Sequence, residues 1–354
     1  MDAAERRETR TGALHRGLNR VPATPLLDAP SRPGDDDLMK ILIPDTTDID
    51  PGDLTGHEVV RYAATEPVPP EHADAQAVVV WGTSGDVLQE TARRLTRVEL
   101  VQALAAGPDS VLAAGFRAEA VVCSGVGLHT RPVTEHALAL LLNLVRRLPA
   151  AARSQGERTW DPQLGGLQPL HPEGRVTTLI DARVLIWGFG AIGQHLADLC
   201  TALGSQVTGV ARSSGERGGH PVITPEQLPE HLPGTDVLVL VLPHDPATER
   251  ALDRKTLDAL PPHALVVNVG RGSTVDEDAL VEALSTGSIA GAAIDVAAQE
   301  PLPADSPLWS APNLTITPHM AGGRPIGAAD LLRENLEALT QGGWFTNPVD
   351  RARA

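Results

Sequence analysis

Three side chains in the last third of the chain have types suited to acid–base chemistry on an acidic substrate. Arg271, Glu300 and His319 each follow a short apolar run, in positions typical of the loops after strands. A guanidinium can bind a carboxylate and an adjacent carbonyl oxygen together through parallel hydrogen bonds. An imidazole can supply a proton near neutral pH, and a carboxylate beside it favours the protonated ring and fixes its orientation. The trio could therefore bind an anionic substrate and exchange a proton with it.

A glycine motif upstream predicts a binding site for a dinucleotide. The apolar run 184–187 leads into a Gly-x-Gly-x-x-Gly turn, and a helical segment follows that ends at Gly204. A second strand-like run, 206–212, makes the motif part of a βαβ unit. In such a unit the glycines let the backbone approach a pyrophosphate, and the first helical amides face its oxygens. The residues predicted to contact the dinucleotide are Gly188, Phe189, Gly190, Ala191, Ile192 and Gly193.

The end of the second run indicates which dinucleotide is preferred. NAD-specific sites place an acidic residue there to bind the ribose 2′-hydroxyl. Ala211 stands at that position and is followed by Arg212 and Ser213, with Arg217 nearby. A guanidinium and a hydroxyl can bind a 2′-phosphate, and no carboxylate repels it. The pattern predicts NADP, with NAD as the alternative if Arg212 is merely solvated surface.

Five motifs in the second half of the chain, taken in order, resemble a known family. They are Asn268-Val-Gly-Arg-Gly-Ser-Thr-Val-Asp-Glu277, Ala292-Ala-Ile-Asp-Val296, Glu300-Pro-Leu-Pro303, Pro307-Leu-Trp309 and Thr317-Pro-His-Met-Ala-Gly322. The set is similar to the D-isomer-specific 2-hydroxyacid dehydrogenases, over about residues 40–345. The resemblance implies a substrate domain built from both chain ends, with the dinucleotide domain inserted between them.

The resemblance also implies a role for individual residues. Arg271 corresponds to the substrate-binding arginine, Glu300 to its acidic partner and His319 to the acid/base residue. Ala106 and Gly107 correspond to a backbone loop that receives the substrate carboxylate, although Pro108 follows where the family usually has valine. The remaining residues expected to contact the cofactor are Leu242, Pro243, Thr248, Val269 and Asp295, the last at the nicotinamide end.

Strands that alternate with helical segments predict an α/β fold with two doubly wound parallel-sheet domains, one a Rossmann dinucleotide-binding domain and the other flavodoxin-like. The predicted strands are 41–43, 77–81, 98–104 and 120–123 in the first domain and 183–187, 206–211, 236–242, 264–269, 290–296 and 314–317 in the second; helices are expected at about 132–147, 276–286 and 328–340. The predicted organisation is a disordered tail (1–37), a substrate domain (38–131 with 319–354) and an NAD(P)-binding domain (132–318), with 151–180 as a surface excursion.

Composition limits the kinds of molecule that the protein is expected to bind. A net charge of −16 argues against a nucleic-acid surface, and no apolar run reaches membrane-spanning length. Cys123 and Cys200 lie in apolar runs, typical of buried thiols in a reducing cytoplasm. The apolar helix at 134–148 resembles the dimer-forming region of the family, so we expect a homodimer. No metal site is predicted.

The leading functional hypothesis is reduction of a small 2-oxo acid, such as glyoxylate or hydroxypyruvate, to the D-2-hydroxy acid with NADPH in a cleft between domains. One alternative is a dinucleotide-sensing binding protein like the co-repressors that resemble this family. Another is a phosphoglycerate dehydrogenase-like enzyme, weakened because we see no downstream regulatory domain. A formate-type dehydrogenase is disfavoured because Thr317-Pro-His319 lacks the glutamine expected in that context.

Overall fold

A computed structural model of the chain describes residues 20–22, 38–165 and 169–351. The chain divides into two compact units, Met1–His129 with Arg324–Ala354, and Thr130–Gly323. The predicted boundaries after residues 131 and 318 lie a few residues from these, so His319, predicted in the substrate domain, falls in the second unit. His319 belongs to the second unit because its loop is hydrogen-bonded to the strands of that unit. Which unit binds substrate stays a prediction.

The two units are built from strands and helices that alternate along the described chain. The strands are β1 Arg20–Pro22, β2 Met39–Pro44, β3 His57–Tyr62, β4 Ala77–Val80, β5 Leu100–Ala103, β6 Val121–Cys123, β7 Arg183–Trp187, β8 Gln206–Val210, β9 Gly215–Arg217, β10 His220–Ile223, β11 Val237–Leu240, β12 Leu265–Asn268, β13 Gly291–Ile294, β14 Leu314–Ile316 and β15 Trp344–Thr346. The α-helices are α1 Gly85–Arg94, α2 Asp109–Ala113, α3 Thr130–Val145, α4 Leu148–Gly156, α5 Ala191–Ala202, α6 Leu228–His231, α7 Arg254–Asp258, α8 Glu277–Thr286 and α9 Ala328–Gln341.

The first unit contains a five-stranded parallel sheet in the order β3-β2-β4-β5-β6. Counted along the chain this is the flavodoxin-like order 2-1-3-4-5, which confirms that part of the predicted fold. Ile41 and Ile43 pack on one face together with Leu332 of α9, and Leu42 packs on the other. Side chains that alternate between two apolar faces are typical of strands covered on both sides.

Three strands of the first unit were missed, namely β1, β3 and β15. β3 is an edge strand in which His57, Glu58 and Arg61 interrupt the apolar residues, so it lacks the continuous apolar run of a buried strand. β1 pairs in an antiparallel manner with β15, so the prediction of a disordered tail is wrong at Arg20–Pro22. The rest of the predicted tail, 1–19 and 23–37, lies outside the described residues.

The second unit contains an eight-stranded sheet in the order β14-β13-β12-β11-β7-β8-β10-β9. Its parallel part has the Rossmann order 3-2-1-4-5-6 with one further strand, β14, beyond the last, which confirms the predicted dinucleotide-binding fold. All six predicted strands are present. The sequence missed β9 and β10, because they are short and polar and Pro221 interrupts β10.

Helix α3 opens the second unit and lies in its core. It begins at Thr130, two residues before the predicted start, and buries Ala137, Leu140 and Leu141. In the predicted surface excursion at 151–180 the chain first continues as helix α4 to Gly156, and this helix has no buried residue. None of the described helices combines the length and apolar content needed to cross a lipid bilayer.

Both cysteines are buried free thiols, as predicted. Burial raises the pKa of Cys123 and of Cys200 to about 12, because the thiolate is poorly solvated in the core. Neither thiol is therefore a candidate nucleophile.

Candidate active site

The three predicted catalytic residues follow three neighbouring strands of the second unit. Arg271 comes after β12, Glu300 after β13 and His319 after β14, and these strands are adjacent and parallel. The carboxyl ends of such strands share one edge of the sheet, where ligands bind in open α/β folds. His319 Nδ1 lies 2.7 Å from a carboxylate oxygen of Glu300. The structure therefore forms the predicted imidazole–carboxylate pair.

The pair is accessible and its carboxylate is held in place. The side chain of His319 is 47% exposed and that of Glu300 is 39% exposed. The second oxygen of Glu300 accepts a hydrogen bond from the Ala297 amide at 3.0 Å. Because Nδ1–H of His319 donates to the carboxylate, Nε2 is the ring nitrogen left to exchange a proton with a substrate.

A glycine brings the Arg271 loop directly against the Glu300 loop. A Cβ atom added to Gly272 would lie 1.9 Å from the carbonyl carbon of Ala297, so no other residue fits there without moving the backbone. Arg271 is the residue before Gly272, and Glu300 lies three residues after Ala297. The close approach brings the backbone after Arg271 against the loop that leads to Glu300.

A fully buried amide holds the backbone of Arg271. Asn268, which is 0% exposed, donates to the carbonyl of Arg271 at 3.1 Å and accepts from the amide of Gly270 at 3.0 Å. The hydroxyl of Thr274 donates to the same Arg271 carbonyl at 2.6 Å. The guanidinium donates one N–H to the carbonyl of Gly270 and pairs with no carboxylate of the described residues. Its other donors are available to an anionic ligand.

Asp295 holds the loop that carries His319. The side chain is 1% exposed, and its oxygens accept hydrogen bonds from the Thr317 hydroxyl at 2.6 Å and the Met320 and Ala321 amides at 3.0 Å each. These bonds surround His319, whose φ of 50° is uncommon for a residue with a Cβ atom. The predicted contact of Asp295 with the nicotinamide stays a prediction; in the structure its carboxylate accepts from the loop of His319 and faces His136 of helix α3.

His136 of helix α3 joins this buried cluster. Its Nε2 atom lies 2.9 Å from the Thr317 hydroxyl and 3.2 Å from Asp295. Sequence reasoning gave His136 no role, and a histidine inside an otherwise apolar helix is the signal that could have found it. The cluster ties helix α3 to the loop of His319.

Asp295→Asn is expected to lower the free energy of unfolding by about 2 kcal/mol, because at least one buried amide then faces an NH₂ group instead of an acceptor. Urea denaturation followed by circular dichroism measures the change. Asp305→Asn makes the same chemical change at an exposed side chain and is the matched control. Equal stability of the two variants would show that the carboxylate does not brace the loop.

The glycine turn after β7 fits a dinucleotide phosphate. Gly188 has φ of 104°, and a Cβ there would lie 2.4 Å from the Val241 carbonyl. Gly190 caps helix α5, is exposed, and has nothing within 4 Å of its Cβ position. The first helical hydrogen bond runs from Gln194 to Gly190, which leaves the amides of Ala191, Ile192 and Gly193 without a partner inside the helix. Open space and unpaired amides together suit an anion.

Three of the predicted cofactor residues turn their side chains into the core. Phe189 is 2% exposed, and Leu242 and Val269 are each 6% exposed. The ring of Phe189 packs against Gly209, where an added Cβ would come within 2.3 Å of it. These residues can therefore meet a cofactor only through their backbone.

The other predicted cofactor residues are more accessible. Pro243 is exposed, and its carbonyl accepts a hydrogen bond from the Thr248 hydroxyl at 2.7 Å, so that hydroxyl already braces a turn. Arg212 and Ser213 are exposed just beyond the end of β8, as a 2′-phosphate contact requires. Ala106 and Gly107 lie in the first unit, half-buried after β5, and Pro108 caps helix α2.

Comparison with known proteins agrees with the fold and with the strand-end motifs. Residues 138–321 match the family model described as D-isomer specific 2-hydroxyacid dehydrogenase, NAD binding domain. A glyoxylate/hydroxypyruvate reductase A of Yersinia enterocolitica is 31% identical over 299 residues, which are 79% of this chain and 87% of that protein. The chain belongs to the D-isomer-specific 2-hydroxyacid dehydrogenase family. It is therefore an NAD(P)-dependent oxidoreductase, as the sequence predicted.

Two solved structures carry the same fold. A D-isomer specific 2-hydroxyacid dehydrogenase of Xanthobacter autotrophicus Py2, in complex with NADPH and MES, is 28% identical with a TM-score of 0.71, covering 90% of this chain and 99% of that one. An NADPH-dependent glyoxylate/hydroxypyruvate reductase of Sinorhizobium meliloti, in complex with NADP and malonate, is 30% identical with a TM-score of 0.66, covering 89% and 98%.

Proposed function

We propose that the protein reduces a small 2-oxo acid, such as glyoxylate or hydroxypyruvate, to the D-2-hydroxy acid with hydride from NADPH. The observation that carries this proposal is the 2.7 Å hydrogen bond between His319 and Glu300. The loop that leads to Glu300 packs directly against the loop of Arg271. An acid and an anion-binding guanidinium at one sheet edge are what a 2-oxo acid needs. The names of the Yersinia and Sinorhizobium relatives support the same substrate class.

The protein's own residues would act on the substrate as follows. Arg271 binds the carboxylate and the carbonyl oxygen, which fixes the carbonyl carbon in place and polarises it. Bound NADPH supplies the hydride that this carbon accepts. As the carbonyl π electrons move to oxygen, His319 donates the Nε2 proton, and the product leaves as an alcohol. Glu300 holds the ring orientation and stabilises its positive charge before the transfer. The backbone of Ala106 and Gly107 remains a proposed contact for the substrate carboxylate.

NADPH is the proposed hydride donor because the end of β8 carries no carboxylate. Ala211 stands where an NAD-specific site has an acidic residue, and exposed Arg212 and Ser213 follow it. The two solved relatives bind NADPH or NADP, which supports this preference.

A substrate screen tests the proposal. We expect the purified protein to oxidise NADPH with glyoxylate or hydroxypyruvate, and to do so faster than with NADH or with bulkier 2-oxo acids. The rate is measured as the decrease in NADPH absorbance, at 2-oxo acid concentrations around KM. Tight NADPH binding without turnover across the panel would contradict the proposal and favour a dinucleotide-sensing binding protein.

Two finer proposals concern assembly and location. We infer a homodimer, supported by the exposed apolar side chains of Leu148 and Trp160, which follow the apolar helix α3 in the chain. We infer a cytoplasmic location, supported by the two free thiols. Light scattering and cell fractionation would test them; a monomer or an exported protein would contradict them.

A further inference from the structure

The loop between strand β13 and Glu300 lies against helix α8 as well as against the loop of Arg271. Glu277 is the first residue of helix α8, and its carboxylate accepts a hydrogen bond from the Ala298 amide at 2.7 Å. Glu277 ends the motif that begins at Asn268, and the mechanism proposed above gives it no role. A half-buried carboxylate that faces the loop of a proposed catalytic residue is a candidate for positioning that residue.

Two carboxylates hold the two peptide groups on either side of Ala297. The amide of Ala297 donates to Glu300 at 3.0 Å. The next amide, that of Ala298, donates to Glu277 at 2.7 Å. A Cβ atom added to Gly272 would lie within 2.3 Å of three atoms of this second peptide, so Gly272 packs directly on it. The peptide that Glu277 holds is therefore fixed by two contacts, one from each neighbouring segment.

The position of this segment determines where the Glu300 carboxylate lies. One oxygen of Glu300 accepts from the Ala297 amide, and the other lies 2.7 Å from Nδ1 of His319. The side chain of Glu300 is 39% exposed, so packing alone does not hold it in one place. Because hydrogen bonds are directional, a rotation of the Ala297 amide would move the carboxylate away from the imidazole.

Helix α8 gives Glu277 a rigid support. Asp276 caps the helix by accepting from the Ala279 amide at 3.2 Å, and its own amide donates to the carbonyl of Leu252 at 3.0 Å. The side chains of the helix that are buried in the core are those of Ala279, Leu280, Ala283 and Leu284. An acceptor in the first turn of a capped and packed helix has a fixed position, because the backbone that carries it cannot shift.

Glu277 does not serve an ion pair. In the part of the chain that the structure describes, no lysine or arginine pairs with it. Asp276, which caps the same helix, pairs with Arg250. Glu282, further along the helix, pairs with Arg254. The hydrogen bond to the loop that leads to Glu300 is thus what distinguishes Glu277 from these carboxylates.

We propose that Glu277 is a positioning residue: by holding the Ala298 amide it fixes the loop that carries Glu300. This keeps the Glu300 carboxylate on Nδ1 of His319. The length of the Glu277 side chain matters here and its charge does not, because glutamine has an acceptor oxygen at the same position. The inference rests on the proposed role of the His319–Glu300 pair, but not on the choice of 2-oxo acid or of dinucleotide.

Three substitutions of Glu277 separate the length of the side chain from its charge. Glu277→Gln keeps the acceptor, and we expect kcat within about twofold of that of the unaltered protein. Glu277→Asp keeps the charge but is one methylene shorter, and Glu277→Ala removes the acceptor. Both are expected to lower kcat by about 10-fold while KM for the 2-oxo acid changes by less than about threefold, because the acid is misplaced and the substrate contacts are not. Steady-state NADPH oxidation measures both constants.

Asp278→Ala is the matched control. It removes an exposed carboxylate from the same first turn of helix α8, so it reproduces any effect of charge on the helix. We expect its kcat to equal that of the unaltered protein.

The tautomer of His319 tests the proposal without any turnover. In protein that carries isotopically labelled histidine, the nitrogen chemical shifts of the neutral ring show which nitrogen bears the proton, and comparison with His319→Gln assigns the signals. We expect the proton on Nδ1 in the unaltered protein and in Glu277→Gln. In Glu277→Asp and Glu277→Ala we expect a mixture of both tautomers, since the ring then lacks a fixed acceptor.

Three results would overturn the proposal. Native kcat with the proton still on Nδ1 in Glu277→Asp and Glu277→Ala is one, and an equal loss of kcat in Asp278→Ala is another. The third is an equal loss in all three Glu277 variants with a raised KM, which would assign the residue to the fold of the Arg271 loop. A change of tautomer in Glu277→Ala, in a protein that reduces no 2-oxo acid, would refute the proposed function and leave the positioning by Glu277 intact.

Discussion

His319→Gln is expected to lower kcat for the 2-oxo acid by about 10²- to 10⁴-fold, the range typical for loss of a general acid. Glutamine keeps a polar side chain next to Glu300 but has no proton to give near neutral pH. Hydride addition would then leave an alkoxide that only water can protonate. Steady-state rates of NADPH oxidation measure the effect. The Kd for NADPH is expected to stay unchanged, because three strands separate β14, which His319 follows, from β7, which leads into the glycine turn.

A variant of Glu300 separates proton transfer by the imidazole from the orientation of the imidazole. Glu300→Gln removes the charge but keeps an acceptor 2.7 Å from Nδ1, so we expect a smaller loss than in His319→Gln. In the double variant the effects should not add, because Glu300 acts through the imidazole. Near-native kcat in His319→Gln, or full additivity in the double variant, would show that His319 and Glu300 do not act as an acid and its supporting carboxylate.

The residues at the strand ends could be predicted from the sequence because three signals coincide there. Runs such as 265–267 are apolar throughout, which indicates strands buried on both faces of a parallel sheet. A polar residue directly after such a run must lie at the carboxyl edge, whatever the rest of the fold does. Arg271 and His319 were found in this way, and the resemblance of their motifs to one family assigned their roles.

Features that depend on pairing between distant segments could not be predicted. β9 reads Gly-Glu-Arg, and it forms a strand because His220 and Val222 anchor the returning strand in the second unit. The hydrogen bond from Arg217 to Ser213 follows from that pairing and leaves no pattern in the sequence. His136 is similar, since its partners Asp295 and Thr317 are more than 150 residues away.

Buried polar groups in this site hold the backbone on which exposed ones act. Asn268 is fully buried and positions the loop of Arg271, while Asp295 is almost fully buried and positions the loop of His319. A buried hydrogen-bonding group is costly to leave unpaired, so each loop has little freedom to move away from its brace. Exposed groups on flexible loops would lose catalytic geometry that these braces retain.

Arg271→Lys tests whether two-point recognition of the substrate matters, and not only a positive charge. A lysine ammonium is a point charge that cannot bind a carboxylate and a carbonyl oxygen in one plane, so we expect kcat/KM for the 2-oxo acid to fall by about 10- to 100-fold. Arg271→Ala removes the charge as well and should lower kcat/KM by about 10³-fold or more, because two charge-assisted bonds are lost. Added guanidinium ion should restore part of the activity of Arg271→Ala and none of that of His319→Gln.

Arg250→Lys is the matched control for this experiment. It makes the same change on a neighbouring loop, where the side chain is exposed and paired with Asp276. We expect its kcat/KM to stay within about twofold of the unaltered protein, since exposed ion pairs contribute little. NADPH affinity should be unchanged in both variants at position 271, because in the proposed site the guanidinium contacts the substrate and the glycine turn holds the phosphates. Native kcat/KM in Arg271→Lys would show that charge alone suffices, and native kcat/KM in Arg271→Ala would refute the assignment of Arg271 to the substrate.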